Sequence, residues 1–328
     1  MDLTACRSRR AAARTSRPGS GRPAGVLIMV LLALGAGLAA PPGKPKPAPP
    51  GTAETLPTGC PFYAEVDFQR DRDLWPAFRE VFPSVEATLQ VLAARSLITS
   101  PERITRLAFA GRLQGETVNI ALLVEGELGL PIGVTRPDWT RVAEAGGRPV
   151  YRFREPAAGE PPVAFLVLNE KTLATGRQEV LLNLFGAPAA AAGLPGLFRK
   201  MRASPGAATL YVGPALLPHL LSLDPSADSW TALRRLLESF TEFAWNIDPR
   251  RTGAGELVLV CRQPQTAAEV SELLLNFFNL AILTSENREA GTRAIMESLR
   301  IRCQGREVHV QLTIPPTTLL ALFAPSAP

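Results

Sequence analysis

The stretch LRIRCQGREVHVQLTI, residues 299–314, decides the fold. In its second part four apolar residues alternate with three polar ones: Val308, Val310, Leu312 and Ile314 against His309, Gln311 and Thr313. A period of two is typical of a β-strand with one buried and one solvated face. Leu299–Cys303 alternates in the same way, and Gln304-Gly305-Arg306 between the two runs favours a hairpin turn. The stretch therefore predicts antiparallel strands with one face open to solvent.

The same alternation occurs far from this stretch. Val118, Ile120, Leu122 and Val124 share one side of a run, and no polar residue lies among them. A parallel sheet covered on both faces would instead show continuous apolar strands. The pattern therefore predicts an α+β fold with helices on one face of a mostly antiparallel sheet. It argues against a doubly wound, nucleotide-binding fold.

The order of predicted elements occurs twice, in residues 60–188 and in residues 207–324, and we interpret this as an internal duplication. Each half is predicted to run β-α-β-β-α-β-β-α. In the first half the strands are 62–66, 104–113, 117–124, 150–153 and 163–168, with an additional short strand at 173–175, and the helices are 74–97, Trp139–Ala145 and 178–185. In the second half the strands are 209–212, 241–247, 256–261, 299–303 and 307–314, and the helices are 215–238, 267–283 and 317–323.

Residues 1–39 have the composition of an export signal or membrane anchor. Val26–Ala40 is an apolar run without a charge, and arginines precede it. Cleavage after Ala39 is one interpretation, and an uncleaved anchor in the inner membrane is the other. Residues 40–59 are a Pro-rich linker, and residues 189–206 are a second linker. We therefore expect a periplasmic or extracellular protein that folds from about Cys60 and contacts a membrane only through residues 26–40.

The charge of the chain is concentrated in this N-terminal segment. The net charge is +5, but six arginines and one acidic residue lie before residue 25. Without them, 29 basic residues (35 less 6) and 29 acidic residues (30 less 1) remain. A nucleic-acid partner requires a basic surface that displaces counterions from phosphates. The neutral remainder therefore predicts no nucleic-acid partner.

The sequence contains no motif of a known catalytic or metal site. Its two histidines, His219 and His309, lack partners at the spacing of a metal site, so we expect no metal and no cofactor. Cys60, Cys261 and Cys303 are too few for a disulfide-rich scaffold, although one bridge among them stays open. For Cys261 and Cys303 we favour small core residues at strand ends.

Two short motifs carry a family resemblance. Gly147-Arg148-Pro149-Val150-Tyr151 and Asn169-Glu170-Lys171-Thr172-Leu173-Ala174-Thr175-Gly176 resemble a pattern in uncharacterised exported bacterial proteins. Those proteins carry two tandem αβ halves behind a signal or anchor. The resemblance covers roughly residues 60–324 and implies the architecture but no activity.

Two hypotheses for the function follow. The first is a non-enzymatic binding or scaffold protein whose ligand is a protein, glycan or lipid outside the cytoplasm. Its candidate binding face consists of the polar residues Arg300, Arg302, His309, Gln311 and Thr313. The alternative is an extracytoplasmic hydrolase that uses carboxylates such as Glu65, Asp67 or Glu125. The apolar helix 267–283 is interpreted as a core helix, or else as an exposed surface for a lipid or a partner.

Overall fold

The fold is α+β and is built on one large antiparallel sheet, as the alternating strands predict. The computed structural model describes residues 55–70, 72, 74–115, 117–128, 136–154, 163–186, 193–204, 206–221, 238–248, 254–284 and 298–313. Within these residues, twelve strands pair into one sheet. The two predicted halves therefore share a single sheet.

The strands and helices have the following bounds. The strands are β1 Phe62–Asp67, β2 Ile104–Gln114, β3 Thr117–Gly126, β4 Trp139–Ala145, β5 Arg148–Phe153, β6 Ala164–Asn169, β7 Thr172–Gly176, β8 Ala208–Val212, β9 Phe240–Asp248, β10 Ala254–Cys261, β11 Arg300–Gln304 and β12 Glu307–Thr313. The helices are α1 Leu74–Val81, α2 Pro83–Ala94, α3 Gln178–Phe185, α4 Gly196–Ala203, α5 Leu217–Leu221 and α6 Pro264–Thr284. Across the sheet the strands lie in the order β11-β12-β10-β9-β8-β1-β2-β3-β7-β6-β5-β4.

The first strands of the two halves meet at the centre of the sheet. β1 pairs antiparallel with β8, and Phe62 lies opposite Val212. β2 then continues the first half on the other edge of β1, while β9 continues the second half beyond β8. Every residue of β1 and β8 is buried. The junction between the halves is therefore the most deeply buried part of the sheet.

Helices cover both faces of the sheet, which corrects the expectation of one covered face. On the face that carries Phe62 and Val66, here called the first face, a core cluster packs against α1, α2, α5 and α6. On the opposite face, here called the second face, Tyr63 packs with the buried side chains of α3 and α4. The alternation of buried and exposed residues in β12 thus does not extend to the central strands, whose residues are buried on both sides.

The alternation in β12 is confirmed. Val308 and Val310 are buried in the first-face cluster, whereas Gln311 on the second face is exposed. In β3 the predicted residues from Val118 to Val124 also face that cluster. Their neighbours Ala121 and Leu123 are buried on the second face, because β3 lies under α3.

The predicted helix Trp139–Ala145 is wrong, because this segment is strand β4. It forms a hairpin with β5 through Gly146 and Gly147, whose positive φ angles of 57° and 78° suit a tight turn. An irregularity between Arg141 and Ala143 shifts the register of β4. Trp139 consequently faces the first cluster and Ala145 the second, although both positions are odd-numbered. This shift removed the period of two from the sequence.

The predicted helix 74–97 divides into α1 and α2. Pro83 stands at the start of α2, where its missing N–H is tolerated. The same residue cannot continue α1, because a proline inside a helix removes a backbone hydrogen bond. Of the predicted helix 215–238, the structure describes residues 215–221, which include α5, and residue 238; the predicted helix 317–323 lies outside the described residues.

Both predicted linkers contain residues that belong to the fold. Leu56 is buried in the second-face cluster, and the Tyr63 hydroxyl donates to the Pro57 carbonyl oxygen at 2.6 Å. The packed region therefore begins before Cys60. In the second linker, α4 occupies Gly196–Ala203 and buries Phe198 completely. Its apolar residues recur at helical spacing, and the neighbouring prolines obscured this pattern.

The segment 26–40 lies outside the described residues. Among the residues that are described, no helix combines the length and the apolar composition that crossing a membrane requires.

Candidate functional site

The five residues of the predicted binding face lie on the second face, at the end of the sheet. In the β11–β12 pair, Arg300 lies opposite Gln311 and Arg302 opposite His309. Both arginines are exposed, as is Gln311. Thr313 lies at the end of β12, where its backbone N–H donates to the Ser298 hydroxyl at 2.8 Å. The alternation thus placed four of the five side chains next to one another and the fifth at the margin.

His309 lies at the centre of a chain of charged groups. Its Nδ1 is 3.0 Å from the Glu256 carboxylate, and its Nε2 is 3.0 Å from the Glu307 carboxylate. The Lys200 ammonium donates to the same Glu307 oxygen at 2.7 Å. Lys200 comes from α4, which lies on β8 and β9. The chain Glu256–His309–Glu307–Lys200 therefore fixes the border between α4 and the open end of the sheet.

The Lys200 hydrogen bond lowers the pKa of Glu307 below its ordinary value, with a further contribution from the charge of Lys200 and from His309. Beside Glu307 lies an open groove with a volume of about 480 Å³. Its lining includes Lys200, Gln304 and Arg306. Space of this size accommodates a ligand group, and its lining offers both hydrogen-bond donors and acceptors.

The three carboxylates of the hydrolase hypothesis also meet, but they surround an arginine. Arg106 Nη2 donates to Asp67 at 2.9 Å, and its Nε lies 3.4 Å from Glu65. Arg106 Nη1 lies 3.4 Å from Glu125. The register explains the cluster, because Arg106 lies opposite Asp67 on one side and opposite Glu125 on the other. Arg106, Glu65 and Asp67 are each about 5% exposed, so the cluster is buried.

Two further arginines bind this cluster to α4. Arg202 Nε lies 2.9 Å from the Glu65 carboxylate. Arg70 Nε lies 3.4 Å from Asp67, and its Nη1 donates to the backbone carbonyls of Ser204 and Gly206. Three arginines and three carboxylates thus form a neutral set, here called the central network. It joins the first half to the segment that leads into the second half.

Space at the central network is very small. The adjoining cavity has a volume of about 10 Å³ and is lined by Glu65, Arg106 and Glu125. Thr55 and Leu56 also line it. This volume holds one water at most. Burial raises the pKa of Glu125 above its ordinary value, although Arg106 opposes the shift.

Reasoning from the sequence missed Arg106, Lys200 and Glu256. Arg106 lies among apolar residues of a predicted strand, and a charged residue in such a position signals a buried partner. No local pattern could reveal Lys200, because it reaches Glu307 from an element more than a hundred residues earlier in the chain.

The remaining candidates lie elsewhere. Cys60, Cys261 and Cys303 are free thiols; the first two are buried, but Cys303 is exposed on β11, so its expected core position is wrong. His219 is partly buried in α5. In α6, Val270 packs in the core, as the core interpretation predicts, whereas Leu273 and Leu275 are 47% and 42% exposed. Within the described ranges, no cluster of three or more His, Cys, Asp or Glu residues is arranged to hold a metal ion.

Comparison with known proteins identifies no family. No protein-family model and no curated protein matches the chain. Crystal forms III, I and IV of the protein TP0453 are structurally similar, at 13%, 14% and 13% identity. The match covers 84% of this chain and 98%, 96% and 100% of those chains, with TM-scores of 0.45, 0.44 and 0.41. These findings do not support the resemblance to exported two-halved proteins drawn from residues 147–151 and 169–176.

Proposed function

We propose that the protein is a non-enzymatic binding protein and that it binds through the second face of β10, β12 and β11. The observation that carries this proposal is the contrast in space between the two charged regions. The groove beside Glu307 has a volume of about 480 Å³, whereas the cavity of the central network has about 10 Å³. A ligand therefore has room at the end of the sheet and none at its centre.

The geometry of the central network argues against the hydrolase alternative. Glycoside hydrolysis, for example, requires two carboxyl groups on either side of the bond that breaks, about 5–10 Å apart. Glu65, Asp67 and Glu125 instead point at one guanidinium group. Arginine keeps its charge at any physiological pH, so it holds these carboxylates as ion-pair partners. Their arrangement serves to join strands.

Hydrogen exchange of the full chain, read by mass spectrometry, tests the binding face. The probes are an oligoglutamate peptide, a sulfated oligosaccharide and micelles of an anionic lipid. We expect at least one probe to slow exchange in residues 254–261 and 300–313, and none to affect residues 62–67 or 104–126. The variant His309→Ala should weaken that protection, because it breaks the chain at the border of the groove. His219→Ala, the other histidine, is the matched control. Protection confined to the central strands, or none with any probe, refutes the proposal.

We further propose that the protein acts outside the cytoplasm, either released or anchored by residues 26–40. The support is the apolar run behind the N-terminal arginines. Fusing residues 1–58 to a reporter that is active only outside the cytoplasm should give activity. Replacing both Leu31 and Leu32 by Asp should abolish it, because each charge costs about 2.5–3.5 kcal/mol of insertion free energy. Undiminished activity of that double variant contradicts export by this segment.

A further inference from the structure

β11 is a terminal strand of the sheet that the described residues form. It pairs with β12 along one edge. Among the residues that the structure describes, no strand pairs with its other edge. A strand edge of this kind presents backbone N–H and C=O groups on which another extended segment can add.

The two sides of β11 have different chemistry. Arg300 and Arg302 are exposed on the second face, next to the groove. Ile301 points to the first face and packs against the core cluster beneath α6. An added strand would therefore meet positive charge at alternate positions on one side and apolar surface on the other.

The charge on this part of the second face is unbalanced. The two nearby acids are already engaged, Glu256 with His309, and Glu307 with His309 and Lys200. Within the described part of the chain, Arg302 and Arg306 form no ion pair with a carboxylate. The Arg306 Nε donates to the Cys261 carbonyl at 3.0 Å, which fixes the side chain beside the groove. The surface therefore favours an acidic partner.

The same residues disfavour a second copy of β11 as the added strand. Antiparallel self-pairing about Ile301 would place Arg300 opposite Arg302, and self-pairing about Arg302 would place that residue opposite its own copy. Like charges directly opposite in a sheet are destabilising. The arginines thus protect the edge against self-association while they leave it open to a strand of opposite charge.

We propose that β11 takes up an extended acidic segment of a partner protein as an added strand, with carboxylates opposite Arg300 and Arg302 and apolar residues beside Ile301. This inference rests on the proposed function, since it specifies the ligand of the same face. Backbone hydrogen bonds to the edge of β11 would supply affinity. The alternating charges would determine which partner sequences bind.

Fluorescence anisotropy of labelled peptides with the full chain tests the inference. The peptide EVEVEVE should bind, whereas EEEEVVV, with the same composition, and KVKVKVK should bind at least about tenfold more weakly. N-methylation of alternate backbone nitrogens in EVEVEVE should abolish binding, because it removes the hydrogen bonds to the edge. The double variant Arg300→Glu/Arg302→Glu should no longer bind EVEVEVE and should bind KVKVKVK instead. That exchange of partners also shows that the variant is folded.

Equal binding of EVEVEVE and EEEEVVV, or unchanged binding after N-methylation, overturns the inference, since charge attraction alone would then explain the contact. If EVEVEVE does not bind while another probe slows hydrogen exchange in residues 300–313, the proposal of an added strand is wrong, and the proposal of a binding face is kept. If no probe affects that region, both proposals fail.

Discussion

The centre and the end of the sheet both carry charged side chains on the second face, but they hold them under opposite conditions. At the centre, Arg106 is 5% exposed and lies among three carboxylates. At the end, Arg302 is exposed on a terminal strand, with no carboxylate paired to it among the described residues. The same residue type thus joins strands in one place and faces solvent in the other. Burial decides which role an arginine has here.

The helix α4 separates the two regions. Arg202 on this helix binds the central network, and Lys200, two residues earlier, binds Glu307 at the border of the groove. Beyond α4 no described helix covers the second face of β12 and β11. The position of α4 therefore defines where the buried network stops and where a ligand gains access.

The largest expected effect comes from removing the central arginine. Arg106→Met should lower the free energy of unfolding by about 3–5 kcal/mol, because it leaves buried carboxylates without their partner. Arg302→Met, the matched change at the end of the sheet, should alter it by no more than about 0.5 kcal/mol. Urea denaturation at neutral pH measures both. Similar losses in the two variants would show that burial does not distinguish the two regions.

A smaller effect should appear in the pH dependence of stability. Burial raises the pKa of Glu125 from its ordinary value of 4.5, while the Lys200 hydrogen bond lowers that of Glu307 from the same value. The stability that Glu125 contributes is present below pH 4.5 and is lost as the pH rises through its folded pKa. The contribution of Glu307 is present above pH 4.5 and is lost as the pH falls through its folded pKa.

The two glutamine variants should consequently respond in opposite directions. Relative to the unmodified protein, Glu125→Gln should gain stability between about pH 4 and pH 7, and Glu307→Gln should lose it over the same interval. Urea denaturation curves at several pH values give the two differences. A shared direction would mean that one of the two carboxylates lies in another environment than the one described.

The alternation of apolar and polar residues predicts those parts of the fold that are determined by residues close together in the sequence. The β11–β12 hairpin is predictable because one face of each strand is wet, so the period of two is visible. In β4 the register shift between Arg141 and Ala143 removes that period, and the sequence predicts a helix instead. The pairing of β1 with β8 could not be predicted, since it depends on contacts between distant residues.

The same distinction holds for the two charged regions. Alternation alone places Arg300, Arg302, His309 and Gln311 on one face, because a strand fixes the side on which each residue points. The hydrolase hypothesis selects Glu65, Asp67 and Glu125 only because each carries a carboxylate. Their true relation depends on Arg106, whose role appears only when three strands are aligned.

The β1–β8 pair has a consequence for how the chain acquires its structure. The second edge of β1 stays unpaired until β8 has been synthesised, because Phe62 pairs with Val212, about 150 residues later in the chain. Contacts over such distances slow folding, and an apolar strand with an open edge promotes aggregation until its partner arrives. A nascent chain of this protein therefore needs protection from the time β1 leaves the ribosome until β8 follows.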